Sequence, residues 1–197
     1  MDIRNILIIA HIVGTALGAG GATVSDYLFF KFTKDGKLDK DEYRILLTVS
    51  DIVWAGLLIL LVSGFGFILL YLSGNSAVIS AYNLHKIYAK ATIVGILIAN
   101  GFFMHRKVLP MLHHRESRSL ITPKFIKKSP LMFTAGAISA VSWYSALILG
   151  GWRNMSASYV EILTVYFGIV LVAIIVSNSA GRIMITKLVQ QKKRRQK

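Results

Sequence analysis

Five apolar stretches alternate with short polar segments along this chain. They cover approximately residues 3–30, 46–73, 81–104, 131–150 and 158–181. A helix of about 20 apolar residues is long enough to cross the hydrocarbon core of a bilayer, which is about 30 Å thick. The pattern therefore predicts an all-α polytopic membrane protein, a bundle of five transmembrane helices.

Little of the sequence lies outside these stretches. Hydrophobic residues make up 54% of the 197 positions, and the mean hydropathy of +0.58 is far above that of a soluble domain. We expect a single five-helix transmembrane domain over residues 1–185 and a basic tail over residues 186–197. Because the segment before the first apolar stretch is only weakly charged, we interpret that stretch as a retained helix and not as a cleaved signal peptide.

Positive charge is concentrated in the segments that follow the first, third and fifth spans. They contain 19 of the 23 lysine and arginine residues. The positive-inside rule then predicts an external N-terminus, a cytoplasmic C-terminus and a multi-pass location in the inner (cytoplasmic) membrane of the cell. The formal charge of +14 is thereby explained by topology and by attraction to the anionic lipid bilayer, and no nucleic-acid partner is predicted.

An ionisable side chain interrupts the first apolar stretch. His11 shares one helical face with small residues, Gly14 and Gly18 among them. An ionisable group is expensive in lipid, so it normally faces the interior of a bundle and marks a site. Glycines beside it allow another backbone or a flat ligand to approach closely. Under the other interpretation the stripe is only a packing seam, and His11 hydrogen-bonds across it.

A second histidine is predicted at the depth of the first. Counted from the cytoplasmic ends of their spans, at 1.5 Å per residue, His11 and His85 lie within roughly 3 Å of one level. Two imidazoles at one level are the ligand set of a low-spin b-type haem. We therefore predict haem b as cofactor, with His11 as an axial metal ligand, His85 as the second metal ligand if there are two, and Gly14 and Gly18 as the space for the porphyrin face. The chain has no cysteine, which excludes thiolate ligation.

Lys90 leaves two arrangements open. It lies about 140° from His85 around a helix, so the two side chains cannot face the same neighbour. Either His85 opposes His11 and Lys90 faces elsewhere, or Lys90 faces the site and binds a carboxylate or a haem propionate.

A second polar group is predicted at the cytoplasmic end of the spans. It consists of two acidic and two basic side chains: Asp26, Asp51, His105 and Arg106. Such a group could relay protons, but we favour the simpler interpretation of salt bridges at the membrane surface.

Two of these segments resemble a known family. The first helix contains His11-Ile12-Val13-Gly14. The third begins with Leu84-His85-Lys86-Ile87-Tyr88-Ala89-Lys90, and Arg106 follows sixteen residues after Lys90 at its basic end. This pattern resembles the HemJ-type protoporphyrinogen oxidases and the related CopD-like membrane proteins. In that family a first-helix histidine and a third-helix lysine are the essential pair, and b-type haem is bound. The resemblance implies that His11 and Lys90 are this pair, with Lys90 in a catalytic role.

The chain departs from the family in two ways. It has five spans where the family usually has four, and a run of glycines where the family's first helix usually contains a tryptophan.

Together these observations predict a haem-binding membrane redox protein. It would carry out quinone-linked oxidation of a porphyrinogen-like substrate, or electron transfer across the membrane. The alternative is a non-enzymatic membrane subunit or a small transporter without a redox cofactor. A homo-oligomer and a partner in a membrane complex both stay open.

An absorption spectrum of the purified protein tests the haem prediction. Haem at His11 predicts a Soret band and sharp bands after dithionite reduction, all lost in His11→Ala. A packing role predicts a colourless protein that tolerates His11→Gln. A featureless spectrum of protein from haem-supplied cells would contradict the haem prediction.

Overall fold

Five long helices make up most of the computed structural model, which describes residues 2–74, 83–113, 122–152 and 155–195. The helices are α1 (Ile3–Phe32), α2 (Lys40–Leu72), α3 (Leu84–Phe103), α4 (Pro123–Gly151) and α5 (Tyr159–Arg195). Each belongs to a helical segment long and apolar enough to cross a membrane. This confirms the predicted all-α architecture with five helices that are long and apolar enough to span a membrane; insertion into the membrane and orientation across it stay predictions.

Three helices extend beyond the apolar stretches that predicted them. The Asp39 side chain accepts from the backbone of Glu42, whose carboxylate accepts the N–H of Asp39, and this capping box starts α2 before its apolar part. Thr122 caps α4, which likewise starts before its apolar part, with Pro123 in the first turn. α5 continues without a break through residue 186 into the segment predicted as a basic tail.

The third span changes its hydrogen-bonding pattern near its basic end. α3 is followed by a π-helical segment, Met104–Val108, and by a helical turn, Leu109–His113. Pro110 has no N–H, so it cannot continue the α-helical ladder here. Instead the N–H of Leu109 bonds to the carbonyl of Met104. The π-helical turn widens the helix and contains His105.

The ends of the helices define two ends of the bundle. We call the end where α1 stops and α2 begins the basic end, because the lysine- and arginine-rich segments lie there. It is closed by a cluster around Leu38, which is fully buried against Tyr43, Val108 and Phe125. Gly36 permits the turn into this cluster with φ = 75°, a left-handed conformation that favours glycine.

α1 and α2 form an antiparallel pair joined through glycine. Gly56 of α2 lies directly against Gly14 and Gly18 of α1: a Cβ added at Gly14 would lie 2.9 Å from the carbonyl oxygen of Gly56. Trp143 of α4 covers the other side of Gly18. The glycine stripe of α1 is thus filled by neighbouring protein.

The remaining helices are joined by interhelical hydrogen bonds. α3 and α5 both pack on α4, which in turn packs on α1. The Asn100 amide donates to the carbonyl of Ala135 over 2.9 Å, and the Ser142 and Tyr166 hydroxyls bond over 2.9 Å. Since lipid provides no competing water, such bonds help to select the register of membrane helices.

A pair of substitutions in α2 tests the glycine contact. Gly56→Ala places a methyl group on the α1 backbone, so we expect the free energy of unfolding to fall by about 1–3 kcal/mol. Gly64→Ala meets nothing within 4 Å and should be neutral or slightly stabilising. Reversible unfolding in mixed micelles measures both variants; an equal effect would contradict the close contact.

Candidate functional site

A hydrogen-bonded chain joins three helices near the end opposite the basic end. Lys90 Nζ of α3 lies 3.2 Å from His11 Nε2 of α1. His11 Nδ1 lies 2.9 Å from Ser63 Oγ of α2. The Ser63 hydroxyl in turn donates to the carbonyl of Leu60 over 3.2 Å. We call Lys90, His11 and Ser63 the lysine site.

The chemistry of these groups sets the direction of the chain. An ammonium group only donates, so with Lys90 protonated His11 Nε2 accepts the hydrogen bond. The imidazole is then neutral, with its proton on Nδ1, and it donates to Ser63. The Ser63 hydroxyl donates its own hydrogen bond to the carbonyl of Leu60. Each group therefore has one consistent role as donor or acceptor.

Contacts with α2 explain how His11 is held. The antiparallel glycine contact of α1 and α2 brings Ser63, which is 1% exposed, opposite His11. Phe67, one turn further along α2, presents its ring edge to the imidazole with centroids 6.0 Å apart. Both ring nitrogens and one ring side are therefore occupied by α2 and α3.

Lys90 faces His11, as in the second of the two arrangements that the sequence left open; its binding of a carboxylate stays a prediction. Its ammonium also lies beside Gly150 of α4, where a Cβ would be only 3.4 Å away. One turn earlier, Lys86 Nζ donates to the carbonyl of Trp152. Within the described ranges the only ion pair joins Arg44 and Asp41, so neither lysine has a carboxylate within 4 Å.

His85 lies apart from this chain. Its side chain is exposed, and the structure brings Lys90, not His85, to His11. In the part of the chain that the structure describes, no group of three or more His, Cys, Asp or Glu side chains could hold a metal ion. The predicted role of His85 as a ligand stays a prediction.

The residues around His11 do not fit haem b in this arrangement of the helices. An axial ligand needs a free imidazole nitrogen, and both nitrogens of His11 are hydrogen-bonded. A porphyrin face needs open space, but Gly56 and Trp143 cover Gly14 and Gly18. Haem would require α1 to separate from α2 and α4.

A cavity of about 410 Å³ lies toward the basic end. All five helices line it, mostly with apolar side chains, and Asp26 and His105 also face it. Neither these two residues nor Asp51 and Arg106 form a salt bridge with a described residue; Arg106 instead lies 5.9 Å from the ring centroid of Phe102. The salt bridges that we favoured from the sequence are thus not formed among these four residues.

Several contributors to these sites were not predicted. Ser63 had a usable signal, because it is an isolated hydroxyl in a long apolar stretch. Gly150 and the cavity had none, since a glycine at a helix end and a gap between helices depend on how the helices pack.

No family model, curated protein or solved structure matches this chain. The fold and the five apolar helices indicate a multi-pass membrane protein.

The protonation pattern of His11 tests the hydrogen-bonded chain. We expect ¹⁵N nuclear magnetic resonance of histidine-labelled protein to show the Nδ1–H form for His11, assigned by its loss in His11→Gln. Ser63→Ala should remove this preference and lower the free energy of unfolding by about 1–2 kcal/mol. Ser73→Ala, at an exposed hydroxyl directly after the last residue of α2, is the matched control. A His11 ring protonated on Nε2 alone would contradict the assignment.

Proposed function

We propose that this protein is a non-enzymatic membrane carrier that binds a small amphipathic anion at the lysine site, with Lys90 as the group that holds the anion. The ligand class is an apolar body with a carboxylate or phosphate group. This is the small-transporter alternative of the sequence analysis, with a defined site and charge.

The unbalanced charge of Lys90 carries the proposal. Its ammonium is partly buried inside a membrane-spanning segment, where an ionisable group is expensive and normally has a partner of opposite charge. Its hydrogen-bonding partner is instead the neutral nitrogen of His11, over 3.2 Å. A bound anion would supply the missing negative charge through a charge-assisted hydrogen bond.

The neighbouring groups favour an anion over a neutral ligand. Lys86 adds a second cation one turn away, held by the carbonyl of Trp152. His11 accepts a hydrogen bond from one of the three N–H groups of the Lys90 ammonium, which leaves two N–H donors for a ligand. Since Ser63 fixes the imidazole, the direction of the remaining Lys90 donors is also restricted.

The apolar surroundings favour an amphipathic ligand. The lysine site lies within membrane-spanning helices, and the ring of Phe67 lies beside His11. A fully hydrated inorganic ion would have to lose its water there without apolar contacts in return.

The proposal and the haem hypothesis give different spectra. A carrier of this kind is colourless, so the absorption spectrum separates the two. Lys90 binds an acidic group in the carrier, and also in the arrangement of the haem hypothesis in which it faces the site, because haem bears two propionates.

Anion-dependent stabilisation tests the proposal in zwitterionic lipid nanodiscs. The probes are hexanoate, inorganic phosphate and the uncharged 1-hexanol, and the readout is the unfolding midpoint from tryptophan fluorescence. We expect hexanoate to raise the midpoint most, because a ligand that binds only the folded state stabilises it. Lys90→Gln should weaken hexanoate binding about tenfold or more, as expected for loss of a charged hydrogen bond.

Lys40→Gln is the matched control, since it removes one exposed cation at the basic end. It should bind hexanoate like the unmodified protein. Equal binding by Lys90→Gln, or equal stabilisation by 1-hexanol, would overturn the proposal.

A further inference from the structure

The cavity at the basic end contains a carboxylate without a partner. Asp26 of α1 lines this cavity of about 410 Å³. Among the described residues it makes no hydrogen bond and no ion pair, although His105 lines the same cavity. An unpaired carboxylate beside a mostly apolar cavity is costly, and a ligand of opposite charge would offset that cost.

The cavity has the size and lining of a small-molecule site. Ligand cavities are typically about 300–1,000 Å³ and mostly apolar, with a few converging polar groups. Here the lining combines Asp26 with hydroxyls such as Ser25 and Ser50. The lysines of the basic end do not contribute to it.

Aromatic rings line the same cavity as the carboxylate. Phe29 and Phe30 of α1 and Phe133 of α4 line the cavity, with both α1 rings within 6.5 Å of the Phe133 ring centroid. Trp54 and Trp143 line it from α2 and α4. Aromatic faces attract organic cations, most strongly when water is excluded.

We infer that this cavity binds a lipophilic organic monocation, such as a quaternary ammonium or phosphonium ion, with Asp26 as the counter-charge and the aromatic rings around the apolar body. The ligand class differs from that of the lysine site, and the inference does not depend on it. Ala22 is the first residue of α1 that lines the cavity. It lies about 16 Å from His11 along the helix, so the two sites are separate.

Equilibrium dialysis of radiolabelled methyltriphenylphosphonium against the full chain in zwitterionic nanodiscs tests this inference. We expect saturable binding above that of empty nanodiscs. Triphenylphosphine oxide has nearly the same shape but no net charge, and it should displace the cation at least about tenfold less well, as expected for loss of a charged contact.

Two pairs of variants locate the site. Asp26→Asn should weaken binding about tenfold or more, whereas Asp51→Asn, which neutralises an exposed carboxylate, should not change it. Gly136 lines the cavity and a Cβ there meets nothing within 4 Å, so Gly136→Leu should fill the space without disturbing the fold. Gly168→Leu adds the same group outside the cavity lining and should bind normally.

Each result bears on the inference. Loss of binding in Gly136→Leu with an unchanged unfolding midpoint supports it even if Asp26→Asn does not fold. Absent saturable binding, full binding by Asp26→Asn, or equal displacement by triphenylphosphine oxide would overturn it. Lys90→Gln should bind the cation normally. The outcome of this test is therefore independent of whether the lysine site binds an anion.

Discussion

The close contact between α1 and α2 is the constraint on which the rest of the structure depends. Gly14 and Gly18 meet Gly56 with no side chain between the two backbones. In lipid, where apolar burial gives no advantage over acyl chains, such contacts hold helices together by dispersion and close fit. The same contact sets the register of the two helices, and the register places Ser63 opposite His11.

Trp143 transmits this constraint to the other helices. Its ring fills the space beside Gly18 and packs in one cluster with Leu57 and Leu97, which belong to α2 and α3. The cluster separates the lysine site from the cavity, and the same three residues line the cavity. The lysine site and the cavity therefore lie on opposite sides of one packed layer.

Charge is distributed unusually across this layer. Lys90 on one side and Asp26 on the other are ionisable residues in membrane-spanning helices, and neither has an oppositely charged partner among the described residues. Buried charges are normally paired, because desolvation is costly and a partner recovers part of it. Under our two proposals, each of these groups gains a ligand of opposite charge.

The sequence by itself determined the number of long apolar helices and singled out His11. Hydropathy shows which segments are apolar and long enough to cross a bilayer, so the five long apolar helices were predictable. The ends of these helices depended on caps such as Asp39 and Thr122. His11 was predictable because a lone ionisable group in an apolar stretch must face protein. Only the tertiary structure decided that Lys90 and not His85 reaches it, that Ser63 takes its other nitrogen, and that the glycines beside it are covered. These outcomes depend on helix rotation and register, which long-range packing selects and local sequence does not encode.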